Sequence, residues 1–488
     1  NTLCAISLDT IDVQTVLVQG CDFYAAPRLS PDGRKIAWLS WNHPDMPWTR
    51  TALWLADIHD DGTLDAPRMI AGGQCESICQ PEWSPDGHLY FISDRSAWWN
   101  LYRHEENGAV AVCPMQAEFG SPHWQFGKSM YGFSSATEIV CTYIENGVSY
   151  LASINLHTGV LEKIDMPYTD IQDLRMAAGC ILLIAGSPRT PLEIVKIRWT
   201  GVAKNVEGNV LATSITNMPP STYLSVPNSI HFASGSSTIH GFYYPPVNPD
   251  YITSSSAKPP LIVISHGGPT GMASSTFKLS TQYWTTRGFA VLDVNYRGST
   301  GFGRVYQDAL KGNWGIVDVE DCVNGACYAV EHGLADPTQL IMRGSSAGGF
   351  TTLSALAFYD VFKAGAIYYG VSDLQAIDHD SHKFESHYNS YLIAPAPLCN
   401  QRYLERSPIH HVDRLNTPMI FFQGLDDAVV PPQQSESIVN ALKGRGIEVD
   451  YVTFAGEGHG FRKASTIQCA LEKELRFYCD IFGLHESA

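Results

Sequence analysis

Residues 339–359 read QLIMRGSSAGGFTTLSALAFY. A short apolar run ends at Gly344, two serines follow, and Gly348-Gly349 open a stretch that continues as a helix-like apolar segment. Strand, small-residue turn and helix in that order predict one unit of an open α/β sheet. Gly344-Ser345-Ser346-Ala347-Gly348 also fits G-x-S-x-G, and no other segment does. The five-residue pattern is weak by itself, and its setting carries the reading. Flanking glycines lack the Cβ atoms that would clash in a sharp elbow, and the elbow holds its central residue in a strained backbone. The register selects Ser346 as the nucleophile and leaves Ser345 to ordinary turn contacts.

Outward from this turn, LIVISHGG, AVLDVNYRG, AGAIYYG, MIFFQG and VDYVTFAG are compact apolar runs that mostly end in glycine. Helical segments separate many of them: VDVEDCVNGACYAVEHG, PQQSESIVNALKGRG and STIQCALEKELRFYCDIFG. Near-continuous apolar strands alternating with helices predict a mostly parallel, doubly wound sheet covered on both faces. Ligands of such sheets bind beyond the carboxyl ends of the strands.

A serine hydroxyl needs a base, and the base needs an orienting carboxylate. On this fold the chain order is Ser, then Asp or Glu, then His. Downstream of Ser346 the strand PMIFFQG runs into Leu425-Asp426-Asp427, and beyond these acids only His459 and His485 remain. His485 lies three residues from the end of the chain, whereas His459 sits in the glycine-rich AGEGHGF after a strand. His459 is therefore the expected base. The histidines at 379, 382, 387, 410 and 411 precede the acids and read as surface or structural. Chemistry alone does not separate Asp426 from Asp427, although the first acid after the strand is the natural choice. For the developing oxyanion, the turn His266-Gly267-Gly268-Pro269 offers backbone N–H groups, and Ala347, directly after the nucleophile, offers another.

The first part of the chain has a different texture. Nine of the eleven tryptophans lie before residue 200, and short strand-like runs alternate with Asp-Gly, Asn-Gly and Thr-Gly turns. PRLSPDGRKIAWLSW from Pro27 is echoed by PEWSPDGHLYFISD from Pro81, and more faintly by PHWQFGKSMYGFSS from Pro122. Those offsets bracket the unit of a β-propeller blade, with the Ser-Pro-Asp-Gly turn joining two antiparallel strands. A Pro- and Ser-rich stretch near residues 217–260 reads as the domain crossing. The expected organisation is a β-propeller over 1–222 and an α/β-hydrolase catalytic domain over 223–488.

Composition excludes other classes. A formal net charge of −17 argues against nucleic acid. No segment approaches the ~20 consecutive apolar residues of a membrane span, and no signal peptide is visible. The chain begins without Met inside a strand-like run, so a fragment of a longer protein is expected. Twelve scattered cysteines lack metal-ligand spacing; they read as thiols of a reducing cytoplasm, with neither metal nor cofactor expected.

Five spaced motifs then resemble one family. They are HGGPTG from His266, NYRGSTGFGRVYQDALKGNWG from Asn295, RGSSAGGF from Arg343, QGLDDAVVPPQQS from Gln423 and GEGHGF from Gly456. Together they closely resemble the prolyl oligopeptidase family of serine peptidases, nearest to its acylaminoacyl-peptidase and dipeptidyl-aminopeptidase-like branch. The resemblance implies a triad of Ser346, Asp426 and His459, with Gly268 and Ala347 as the oxyanion hole. It also implies a propeller ahead of the hydrolase domain that restricts access to short peptides. Two departures stand out. Ala428 occupies a position where several relatives carry Arg or Asn, and ~220 residues supply about five blades rather than the usual seven, the missing part being N-terminal. From position alone, Tyr368, Tyr369 and Phe384 are expected to line the substrate pocket. The substrate expected is a short peptide or small amide, and a homo-oligomer is left open. An esterase or amidase acting on a small metabolite would share the same site. An inert propeller scaffold is the reading from a different class, and the complete triad argues against it.

Overall fold

The structure is a computed structural model that describes residues 1–8, 14–73, 75–177, 179–201, 208–251, 257–395 and 397–484. The chain divides into two compact units. Unit 1 is Asn1–Thr216 together with the short segment Thr300–Val305, and unit 2 is Asn217–Ser299 with Tyr306–Ala488. His485 lies outside the described residues.

Among the described residues, unit 1 holds a two-stranded ribbon and four successive four-stranded antiparallel meanders, the blades of a β-propeller. The blades begin at Phe23–Leu29, Ile78–Trp83, Tyr131–Ser135 and Asp170–Ala177. The two Ser-Pro-Asp-Gly turns occupy the same place, between the first and second strands of consecutive blades. In one, Ser30 Oγ donates to Asp32 at 2.6 Å and accepts from the N–H of Lys35 at 2.9 Å. In the other, Ser84 Oγ donates to Asp86 at 2.5 Å and accepts from the N–H of His88 at 2.9 Å. The 54-residue offset also appears in space, because Arg28 Nε meets the carboxylate of Glu82 at 2.8 Å. The faint third copy is out of register: Gly127 precedes the first strand of its blade, and the turn that follows that strand is built on Ala136-Thr137.

The segment Thr300–Val305 is tied to unit 1 by two buried carboxylates. Glu118 accepts from the N–H groups of Trp99 at 2.8 Å and Gly303 at 2.9 Å. Asp94 pairs with Arg304, which also donates to Thr49 O at 2.9 Å. Burial is the largest influence on both acids and pushes Glu118 up to about 7 and Asp94 up to about 6, against the opposing pull of these donors. A carboxyl group raised in the folded state stabilises that state below its unfolded pKa, and the contribution is lost as pH rises through the folded value. For Glu118 the window runs from about pH 4 to pH 7. Thermal unfolding should show Glu118→Gln flattening the fall in stability of unit 1 between pH 4 and pH 8 by on the order of 3 kcal/mol. An unchanged slope would refute that assignment.

Unit 2 is built on an eight-stranded sheet. Its strands are β1 (Asn228–Ser234), β2 (Ser237–Tyr244), β3 (Leu261–Ser265), β4 (Ala290–Asn295), β5 (Leu340–Ser345), β6 (Ala364–Tyr368), β7 (Met419–Gly424) and β8 (Val449–Phe454). The order is β1-β2-β4-β3-β5-β6-β7-β8, antiparallel at β1-β2 and β2-β4 and parallel elsewhere. This is the α/β-hydrolase sheet. β6 and β7 are buried throughout, which is why their sequences are near-continuous apolar runs, with Gln423 the one polar residue. The helix Ala464–Phe482 covers one face, where Phe477 and Tyr478 join Trp284, Ile341, Ala366 and Phe422 in one core. The hairpin β1-β2 occupies part of the Pro- and Ser-rich stretch expected to be a crossing. Its alternation, SIHFAS and STIHGFYY, is that of paired strands around the Gly235-Ser236 turn.

Candidate active site

Ser346 stands between β5 and the helix Ala347–Phe358 with φ 56° and ψ −122°, a backbone region that residues with side chains rarely adopt. Two neighbours must be glycine for the turn to close. A Cβ on Gly344 would lie 2.1 Å from the carbonyl oxygen of Gly348, and a Cβ on Gly348 would lie 2.1 Å from that of Ser265. The strain is held by hydrogen bonds on both sides. Ser346 N–H donates to Tyr368 O at 3.0 Å, and Gly349 N–H donates to Ser346 O at 2.9 Å.

The elbow brings Ser346 Oγ to 3.0 Å from His459 Nε2, and His459 Nδ1 lies 2.8 Å from Asp427 Oδ2. The structure thus brings together Ser346 and His459, two residues singled out from the sequence, and corrects the choice of acid. Asp427, not Asp426, faces the imidazole. Beyond β7, the N–H groups of Leu425 and Asp426 donate to Phe454 O and Glu457 O, which keeps this stretch against the loop after β8 and leaves the Asp426 side chain in solvent. The chain then reverses, and the Asp427 carboxylate is buried completely. Its Oδ1 accepts from the N–H groups of Val429 and Val430, both at 2.9 Å, so only Oδ2 is presented to the ring. The loop of His459 is fixed by Glu457, whose carboxylate accepts from the N–H groups of Arg462 and Lys463.

The turn from His266 passes against the nucleophile. A Cβ on Gly267 would lie 3.6 Å from the Cβ of Ser346, and Gly268 has φ 125°. The N–H groups of Gly268 and Ala347 have no acceptor among the described residues. His266 is not a base here. Its Nε2 is 2.7 Å from Ser299 Oγ, its ring stacks on Tyr296 at 4.2 Å, and burial pushes its pKa down to about 4. Past the turn, the N–H of Thr270 donates to the Tyr388 hydroxyl at 3.1 Å, and the two hydroxyls are also hydrogen-bonded. Tyr388 carries no local motif, and only the fold brings it 118 residues back along the chain.

Of the three expected pocket residues, Tyr369 meets the site, its ring edge-on to His459 at 4.8 Å. Tyr368 does not line a pocket. Successive residues at a strand end face opposite sides of the sheet, and its ring is buried against Phe422 with its hydroxyl on Glu474. Phe384 is half-buried near His382. Among the described residues no cluster of His, Cys, Asp and Glu is arranged to hold a metal ion. No helix among the described residues is long and apolar enough to cross a membrane.

The sequence profile of the prolyl oligopeptidase family matches residues 275–485. Dipeptidyl aminopeptidase BIII of Pseudoxanthomonas mexicana is 34% identical over 210 residues, 42% of this chain and 30% of that protein. The acylamino-acid-releasing enzyme of Arabidopsis thaliana is 31% identical over 237 residues, 45% of this chain and 31% of that protein. The aligned part thus spans about three tenths of the length of these curated relatives. Similarity to a solved structure extends further. A puromycin-hydrolysing peptidase of Mycobacterium tuberculosis superposes with a TM-score of 0.93 at 39% identity, covering 97% of this chain and 73% of that one.

Proposed function

The chain belongs to the prolyl oligopeptidase family of serine peptidases, and from that premise we propose that it hydrolyses peptide or amide bonds of short peptides through an acyl-enzyme on Ser346. The observation that carries the reading is the line of contacts from Ser346 Oγ to His459 at 3.0 Å and from His459 to Asp427 at 2.8 Å. His459 Nε2 takes the Ser346 proton as Oγ attacks the carbonyl carbon. Asp427 holds the other ring proton on Nδ1 and stabilises the imidazolium that forms. The N–H groups of Gly268 and Ala347 receive the oxyanion of the tetrahedral intermediate. When the C–N bond breaks, His459 returns its proton to the leaving amine. A water deprotonated by the same imidazole then releases the acyl group from Ser346.

Relatives named for dipeptidyl aminopeptidase, acylamino-acid-releasing and puromycin-hydrolysing activity support amide hydrolysis over ester hydrolysis. Twelve cysteines scattered along the chain without paired spacing support a reducing, cytoplasmic compartment. The test is covalent labelling by a fluorophosphonate. The wild-type protein is expected to be labelled at Ser346 and Ser346→Ala to remain unlabelled, whereas equal labelling of the two would sink the assignment. A panel of free aminoacyl, dipeptidyl and N-acyl aminoacyl chromogenic amides then defines the substrate. Turnover of esters alone would shift the reading to a small-molecule hydrolase.

A further inference from the structure

Directly behind the elbow lies a buried charge that the chemistry above does not use. Arg343 precedes Gly344 on β5, and its Nε donates to Glu474 Oε1 at 2.9 Å. Glu474, on the helix Ala464–Phe482, is buried completely, and Arg343 is buried for the most part. Two phenols share the same carboxylate: Tyr478 donates to Oε1 at 2.7 Å and Tyr368 donates to Oε2 at 2.5 Å. The Arg343 guanidinium also lies 4.5 Å above the ring of Tyr368. Burial opposes the Arg343 charge most strongly, but Glu474 and the two phenols together more than offset it, so the guanidinium stays protonated. An apolar filling of equal volume would often be at least as stable as such a pair, so stability alone does not account for it.

Its geometry does. Tyr368 ends β6, and its carbonyl is the acceptor of the Ser346 N–H. The next residue, Tyr369, has φ 39° and sets its ring against His459 at 4.8 Å. The backbone of the nucleophile and the ring of the base are therefore both held from the strand end whose side chain Glu474 grips. We propose that Glu474 is a positioning residue for the elbow, acting through Arg343 and Tyr368 and touching neither substrate nor the reacting atoms. The inference rests on Ser346 being the nucleophile.

Glu474→Gln is expected to lower kcat on a chromogenic amide by roughly 10- to 100-fold, the scale of a misplacement near 1 Å, with KM changed less than about threefold. The second-order rate of fluorophosphonate labelling is expected to fall by the same factor. Because the single variant leaves Arg343 unpaired, the double variant Arg343→Met with Glu474→Gln removes both charges while keeping a polar partner for the two phenols, and it carries the test if the single variant does not fold. Expected is a thermal midpoint near that of wild type with kcat still at least about tenfold down. Recovery of kcat together with the midpoint would show the network to be structural only and overturn the proposal, as would full kcat in Glu474→Gln. Either of those results, with wild-type labelling at Ser346 intact, leaves the nucleophile standing. Absence of wild-type labelling removes both.

Discussion

Asp427→Asn is expected to lower kcat for amide hydrolysis by about 10⁴-fold, while Asp426→Asn stays within about threefold of wild type. The size follows from how the Asp427 carboxylate is held. Its Oδ1 takes the N–H groups of Val429 and Val430, and its Oδ2 faces His459 Nδ1. An Asn in this place must keep its carbonyl oxygen on the two backbone donors, so its NH₂ group turns towards the imidazole. Nδ1 then has to accept, the ring proton moves to Nε2, and Nε2 can no longer take the proton of Ser346 Oγ. The substitution leaves the packing almost unchanged and installs the wrong tautomer. Asp426 has its side chain in solvent, and losing its charge removes no contact with the ring. Steady-state kinetics of the two single variants on one amide decide between the acids, and the opposite ranking would return the role to Asp426.

That choice marks where the sequence stops being legible. The elbow could be read because its chemistry compresses into five residues: two backbone approaches near 2.1 Å demand Gly344 and Gly348, and the nucleophile must stand between them. The parallel sheet could be read because strands buried on both faces leave near-continuous apolar runs, as in β6 and β7. The blades left a repeated turn. Asp426 and Asp427 are chemically identical neighbours, and what separates them is a backbone reversal after Asp426 whose hydrogen-bond partners lie some thirty residues on, in the loop after β8. A local trace exists in hindsight, since an Asp two and three residues ahead of Val429-Val430 can accept both N–H groups as a turn cap. For Tyr368 even that is lacking: its face of the strand is fixed by Glu474, 106 residues downstream. The hairpin Asn228–Tyr244 was hidden by the Pro and Ser around it, although its alternation is plain once the strands are paired.

The same close approaches make Gly348→Ala a severe change where helix propensity alone would make it a favourable one. In an unhindered helix, Ala in place of Gly gains about 1 kcal/mol. Gly444, at the end of the helix Pro432–Gly444, has open space where its Cβ would lie, so Gly444→Ala is expected to be neutral or slightly stabilising. At Gly348 the added carbon would meet Ser265 O at 2.1 Å and His266 O at 3.0 Å, and both are backbone atoms that cannot rotate aside. β3 is held between β4 and β5, so the helix and its elbow must lift instead. Overpacking of this kind costs about 1–3 kcal/mol or more, enough to lower the thermal midpoint by roughly 3–10 °C in a unit of this size. The functional cost is larger, because Ser265 and His266 lead into the turn that carries Gly268. Separating that turn from Ala347 takes one oxyanion donor out of reach, worth ~10²–10³ in kcat, with binding of the ground state little changed. Thermal unfolding and amide turnover of the two alanine variants, measured side by side, test the argument. A Gly348→Ala protein as stable and active as Gly444→Ala would mean that the elbow is not packed against β3 as described.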